Sequence, residues 1–157
     1  MSDQPAHNIP FGRPWITDED RAAVARVLDG TMLTHGPACH EFEEAFARHA
    51  GDGRAVTLSS CTAGLHLYYM YLGVGAGDEV IVPAISHVAT VHALEVTGAT
   101  PVFVDCERET GNIDASLIEA AITDRTRAIS VVHFMGIPAE MDRIMAIAEA
   151  PGLPGIP

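Results

Sequence analysis

The sequence predicts an α/β fold, a parallel sheet with helices on both faces, and two observations carry that expectation. Residues 55–58, 79–82, 101–104 and 128–132 are short runs dominated by apolar and β-branched side chains. Strands buried on both sides look like this, because neither face has to meet water. Each run is followed by a helix-compatible segment closed by glycine or a polar turn, so strand and helix alternate four times.

The elements follow in order. Thr17-Asp18-Glu19-Asp20 opens a helix with a capping-box pattern. Ala22, Val24, Ala25, Val27 and Leu28 form its apolar stripe, and Gly30 is expected to supply a left-handed stop. A second helix over residues 38–50 places Phe42, Ala45 and Phe46 on one face and Glu41, Glu43, Glu44 and Arg48 on the other. These two helices make an N-terminal helical arm, residues 1–53, ahead of an α/β domain over residues 54–157.

In that domain the strand at 55–58 leads through a Ser/Thr bend into a helix over 62–72. The strand at 79–82 is stopped by Pro83 and followed by a helix over 86–97. The strand at 101–104 precedes a helix capped by Asp114 and running to Ile122. The strand at 128–132 precedes a helix over 139–150. The tail holds Pro151, Pro154 and Pro157. Central strands exclude proline because it cannot donate to the ladder, so the sheet is expected to stop before the tail.

Composition narrows the function classes. With 157 residues, 48% apolar and 19% charged, the chain is rich enough to bury a core. Nine basic residues against 21 acidic ones give a net charge of −12. That charge repels nucleic acid and anionic lipid, so neither is expected as a partner. All the basic residues are arginines, and the absence of lysine means that no side-chain amine is available for chemistry. Cys39, Cys61 and Cys106 have no CxxC spacing and support neither a disulfide framework nor a zinc site. Residues 55–77 carry no Asp, Glu, Lys or Arg, yet they are too polar and too punctuated by glycine for a membrane span. With no basic, apolar leader at the start, a soluble cytoplasmic protein is expected.

Two places can carry chemistry. Ser59-Ser60-Cys61-Thr62-Ala63-Gly64 sits where a helix begins, with small side chains exposing backbone N–H groups at the positive helix end. Such a start binds phosphate, or its hydroxyls merely cap the helix. His87 lies just past the strand ending at Pro83, where an open α/β sheet builds its ligand crevice. It can stack on an aromatic ligand, act as a base, or simply begin a helix, and His133 is ambiguous in the same way. His92 is five residues from His87 and off its helix face, so the two are no metal pair. The glycines at 73, 75 and 77 follow a helix and precede a strand, the reverse of a dinucleotide fingerprint. Asp105 reads as a turn residue.

Taken together, these blocks resemble the DegT/DnrJ/EryC1/StrS sugar aminotransferases. Residues 55–67, Ala-Val-Thr-Leu-Ser-Ser-Cys-Thr-Ala-Gly-Leu-His-Leu, are similar to the family's "SSxTAALHLAL" segment. Gly75-Ala-Gly-Asp-Glu-Val-Ile-Val-Pro83 resembles "GPGDEVIVP", and Val132-His-Phe-Met-Gly-Ile-Pro-Ala-Glu-Met-Asp142 resembles "VHxYGxPAxMD". Thr34-His-Gly-Pro37, Thr97-Gly-Ala-Thr-Pro-Val-Phe-Val-Asp105 and Asn112-Ile-Asp114 continue in the same register.

The resemblance implies the large domain of the fold-type-I transferases that use pyridoxal 5′-phosphate (PLP). It implies transfer of an amino group from glutamate or glutamine to a nucleotide-linked keto-sugar, in an enzyme that is usually a homodimer. Carried over, the amides of Cys61, Thr62 and Ala63 meet the PLP phosphate, and the His87 ring stacks on the pyridine. Cys61 stands where many members have glycine. The "EDxAQ"-like motif that pairs with the pyridine nitrogen and the Schiff-base lysine both lie beyond the matching blocks. The resemblance therefore implies a partial domain, the N-terminal part of such an enzyme, with no catalytic residue of its own and inactive alone. Two alternatives remain open: a dehydratase of the same family using the pyridoxamine form, and an inactive remnant or partner module.

Overall fold

The computed structural model describes residue 10, residues 12–149 and the backbone of residues 155–156. The chain divides into two compact units, residues 1–57 and 58–157.

The first unit holds α1 (Asp18–Leu28) and α2 (Pro37–His49). The α1 capping box forms as its residue types require: the Asp20 N–H donates to the Thr17 hydroxyl at 3.2 Å, and the Thr17 N–H to the Asp20 carboxylate at 2.7 Å. Gly30 does not take up the left-handed stop; its N–H reaches the Val27 carbonyl at 3.1 Å. The expected strand at 55–58 is not formed. Both donors of Thr57, its N–H and its hydroxyl, go to the Glu43 carboxylate at 2.7 and 2.8 Å, and Val56 is 76% exposed. An apolar run without a neighbouring strand has no ladder to join, and here a carboxylate takes the backbone donor instead.

The second unit begins with α3 (Cys61–Tyr71). It continues through β1 (Glu79–Pro83), α4 (Val88–Glu95), β2 (Thr100–Val104), α5 (Ala115–Ala121), β3 (Thr126–Ser130), a single 3₁₀ turn (Phe134–Gly136), α6 (Met141–Glu149) and β4 (Gly155–Ile156). The strands lie in the order β2-β1-β3-β4 and every pairing is parallel. β4 overturns the expectation that the sheet stops before the tail. Its ladder uses Gly155 and Ile156, which keep their N–H groups, paired with Ile129 and Ser130.

Side chains alternate across β1 as strand geometry demands. Val80 and Val82 face a core with Tyr69 of α3 and Ala93 and Leu94 of α4. Ile81 faces the opposite core with Ile118 of α5, Ile129 of β3 and Ile144 of α6. Helices thus cover both faces of the sheet. Tyr69 is wholly buried, its hydroxyl has no hydrogen-bond partner among the described residues, and burial pushes its phenol up.

The N-terminal ends of β1 and β3 are pinned by charge. The Glu79 carboxylate accepts from the Thr123 hydroxyl at 2.6 Å and from the Arg125 guanidinium, and Asp78 accepts from Arg127 at 2.8 Å. These contacts leave the other end of the sheet for the site.

Candidate functional site

All strands being parallel, their C-terminal ends share one edge. α3 reaches β1 through a short turn, its C-terminal end lies near the start of β1, and its buried Tyr69 packs with Val80 and Val82. An 11-residue helix is roughly 16 Å long, about the length of a five-residue strand. The start of α3 is therefore carried to the C-terminal edge, where His87 follows β1 and His133 follows β3.

At the start of α3, Ser60 is the N-cap in extended backbone (φ −165°, ψ 161°), and its hydroxyl accepts the Ala63 N–H at 3.1 Å. The first intrahelical bond runs from the Gly64 N–H to the Ser60 carbonyl at 3.2 Å. The N–H groups of Cys61 and Thr62 come before the helical ladder and have no acceptor among the described residues. Of the three amides named by the sequence reading, Ala63 is engaged by its own cap and the other two are open. No acidic residue stands in the first turn, so nothing there opposes an anion at the positive end of the helix.

The loop after β1 is tied at three points. The Ala84 N–H reaches the Val104 carbonyl at 2.9 Å, the Ser86 and Thr90 hydroxyls share a hydrogen bond of 2.8 Å, and the His87 Nδ1 accepts the Ala89 N–H at 3.1 Å. His87 is thus the N-cap of α4 and stays exposed. An Nδ1 that accepts a hydrogen bond carries no proton, so this bond assigns the ring proton to Nε2. The ring presents a donor, and its lone pair is engaged.

Asp105 closes its own turn: its carboxylate accepts the Cys106 N–H at 2.8 Å, and its carbonyl accepts the Asp114 N–H at 2.9 Å. The loop after β3 carries a feature absent from the sequence reading. Asn112, 2% exposed, accepts the Phe134 N–H at 2.8 Å and donates to the Ile137 and Pro138 carbonyls at 3.1 and 3.2 Å. Only the block Asn112-Ile-Asp114 hinted at it, and its partners lie 22–26 residues further on.

The residues fit part of what PLP asks for. Two open amides at a helix start suit its phosphate, and an exposed imidazole held by its own hydrogen bond suits its ring. No side-chain amine among the 157 residues suits its aldehyde. What the fold and the site define together is a parallel α/β domain that gathers two open helix-start amides and two exposed imidazoles at the C-terminal edge of its sheet.

The chain belongs to the DegT/DnrJ/EryC1/StrS aminotransferase family, whose model matches residues 14–156. Its fold is similar to that of S. venezuelae DesV, with 42% identity over 87% of this chain and a TM-score of 0.83. Spr1654 of Streptococcus pneumoniae, described as a sugar aminotransferase and solved in PMP and PLP forms, is 38% identical in both. Its PMP form is matched over 92% of this chain with a TM-score of 0.89. The 3-amino-5-hydroxybenzoic acid synthase is 35% identical over 90% of this chain, with a TM-score of 0.85. The chain spans 37–38% of the length of these three proteins. Pyridoxal 5′-phosphate is the family's cofactor. Among the described residues, no helix is long and apolar enough to cross a membrane.

Proposed function

We propose that the protein acts in PLP-dependent amino transfer to nucleotide-linked keto-sugars, with glutamate or glutamine as donor. One observation carries this reading. The open N–H groups of Cys61 and Thr62 and the imidazole of His87 lie at one edge of a parallel sheet, in a chain of the aminotransferase family. Cys61 and Thr62 bind the cofactor phosphate at the helix start, and the Ala63 amide holds Ser60 in place as the cap. His87 stacks on the pyridine ring and orients it. It is not the base, because its lone pair is taken by the Ala89 amide.

The bound cofactor supplies an electron sink for the substrate's carbanion. The lysine amine that amino transfer also needs is not among these residues, so this 157-residue stretch by itself is expected to bind the cofactor without turning over. The sugar substrate rests on likeness to Spr1654. Leu67, Tyr68, Met70 and Tyr71, all exposed on α3, suit association with a second copy as the family's homodimer implies. Cys39, Cys61 and Cys106, all free, suit the cytoplasm.

The test is to dialyse the 157-residue protein with PLP, then supply glutamate and a nucleotide-linked keto-sugar. PLP retained without turnover is expected. Loss of all PLP on dialysis contradicts the phosphate site. Turnover above the free-PLP background contradicts the need for an outside amine.

A further inference from the structure

His133 repeats the arrangement of His87 on the neighbouring strand. Its Nδ1 accepts the Ala139 N–H at 3.1 Å, and the residue stays exposed at the C-terminal edge, just past β3. β3 pairs directly with β1, so the two histidines leave adjacent parallel strands at the same end of the sheet. In both, the backbone bond to Nδ1 assigns the proton to Nε2. Each therefore offers one outward N–H donor.

The loop that carries His133 is built to hold it. Asn112 bonds to the backbone at Phe134, Ile137 and Pro138, bracketing the 3₁₀ turn. Inside that turn Met135 sits at φ 54°, a conformation rare for a residue with a side chain, while its side chain is 85% exposed. Gly111 holds the turn from below: a Cβ there would come within 2.6 Å of the Phe134 ring. A strained backbone clamped by a buried amide, around an exposed donor, fits a ligand contact better than a plain connection between β3 and α6.

We propose that His133 is a second ligand-binding residue of this edge, donating from Nε2 to an oxygen carried by the pyridine ring of PLP. Asn112 is its positioning residue. The inference rests on the cofactor reading above, in which the phosphate belongs to the Cys61 and Thr62 amides, leaving the ring's oxygens to other donors.

The substitution His133→Asn separates a ligand role from a loop role. Asparagine keeps an acceptor near the Nδ1 position for the Ala139 N–H and removes the Nε2 donor. Two measurements are made on the 157-residue protein: PLP affinity by equilibrium dialysis, and imidazole ¹⁵N chemical shifts with and without PLP or inorganic phosphate. The expected result is a wild-type melting midpoint in His133→Asn with PLP affinity reduced about tenfold. The wild-type His133 Nε2–H signal is expected to move with PLP and not with phosphate alone. His133→Asn binding PLP like wild type, a PLP response at His87 without one at His133, or a phosphate response at His133 would each overturn the proposal alone. No PLP response at either histidine would overturn the cofactor reading and this proposal with it. His133→Gln, which reaches the Nε2 position, is expected to recover part of the affinity; failure to do so in a folded variant counts against the donor role.

Discussion

The Nδ1 of His87 accepts the N–H of Ala89 at 3.1 Å, so a single side chain both caps α4 and fixes the plane of its own ring. The two jobs separate by substitution. His87→Asn retains a good N-cap and removes the ring. It should keep wild-type stability and lose about tenfold in PLP affinity, the worth of one stacking contact. His87→Phe does the reverse: affinity should stay near wild type while stability drops by about 1 kcal/mol with the lost cap. Calorimetry and dialysis on the same samples check both. If Phe loses as much affinity as Asn, the ring is not stacking.

The buried Asn112 side chain makes three part-buried hydrogen bonds to one loop. Asn112→Ala strands the Phe134 N–H and the Ile137 and Pro138 carbonyls, and should cost about 3 kcal/mol in denaturant unfolding. Hydrogen exchange at Phe134 should accelerate with it. An unchanged Phe134 exchange rate would mean the clamp is not what orders the turn.

Tyr69 is buried, and its hydroxyl has no partner among the described residues. Tyr69→Phe removes the desolvated group and keeps the ring, so it should raise stability by about 1 kcal/mol. A loss of stability would show that the Ser130 hydroxyl serves as its partner.

Acid should weaken the sheet from its N-terminal end. The Thr123 hydroxyl, and then Arg125, hold the Glu79 carboxyl below its ordinary value of 4.5. Arg127, and then the Gly75 amide, hold Asp78 below its ordinary 3.8. A carboxyl depressed in the folded state stabilises it above the unfolded-state value, and that contribution disappears as pH falls through the folded value. Stability should therefore be flat near neutrality and decline as pH falls below about 4.5. Glu79→Gln should make the decline shallower. An equal slope in the variant would assign the acid sensitivity elsewhere.

Much of the sheet was legible because residues 79–82 belong to a central strand buried on both faces, and their apolar run says so; residues 101–104 carry a similar run at the sheet edge, where Phe103 is left exposed. The run at 55–58 carries the same pattern without a strand beside it; pairing is a property of neighbours, which a local pattern does not contain. β4 hid for the opposite reason, being two residues long in a proline-rich tail whose ladder rests on Gly155 and Ile156. At the helix start, the sequence shows small residues and exposed amides. It does not show that the Ser60 hydroxyl takes Ala63 and leaves Cys61 and Thr62. The Asn112 clamp and the Ala139–His133 bond depend on chain segments meeting in space, and no spacing rule announces them.

The amide of Cys61 is the most direct point of attack on the proposed phosphate site. Cys61 is the first residue of α3 and follows Ser60 in extended backbone, the two conditions under which proline is accepted without damage. Cys61→Pro deletes one phosphate donor and leaves the helix standing, while Cys61→Ala keeps the donor and removes only the thiol. The measurement is the dissociation constant for PLP of the two variants and the wild type by equilibrium dialysis, with melting midpoints alongside. Cys61→Ala should bind like wild type, and Cys61→Pro should bind at least about tenfold more weakly at an unchanged midpoint. Equal affinity in all three proteins would contradict the assignment of the cofactor phosphate to the start of α3.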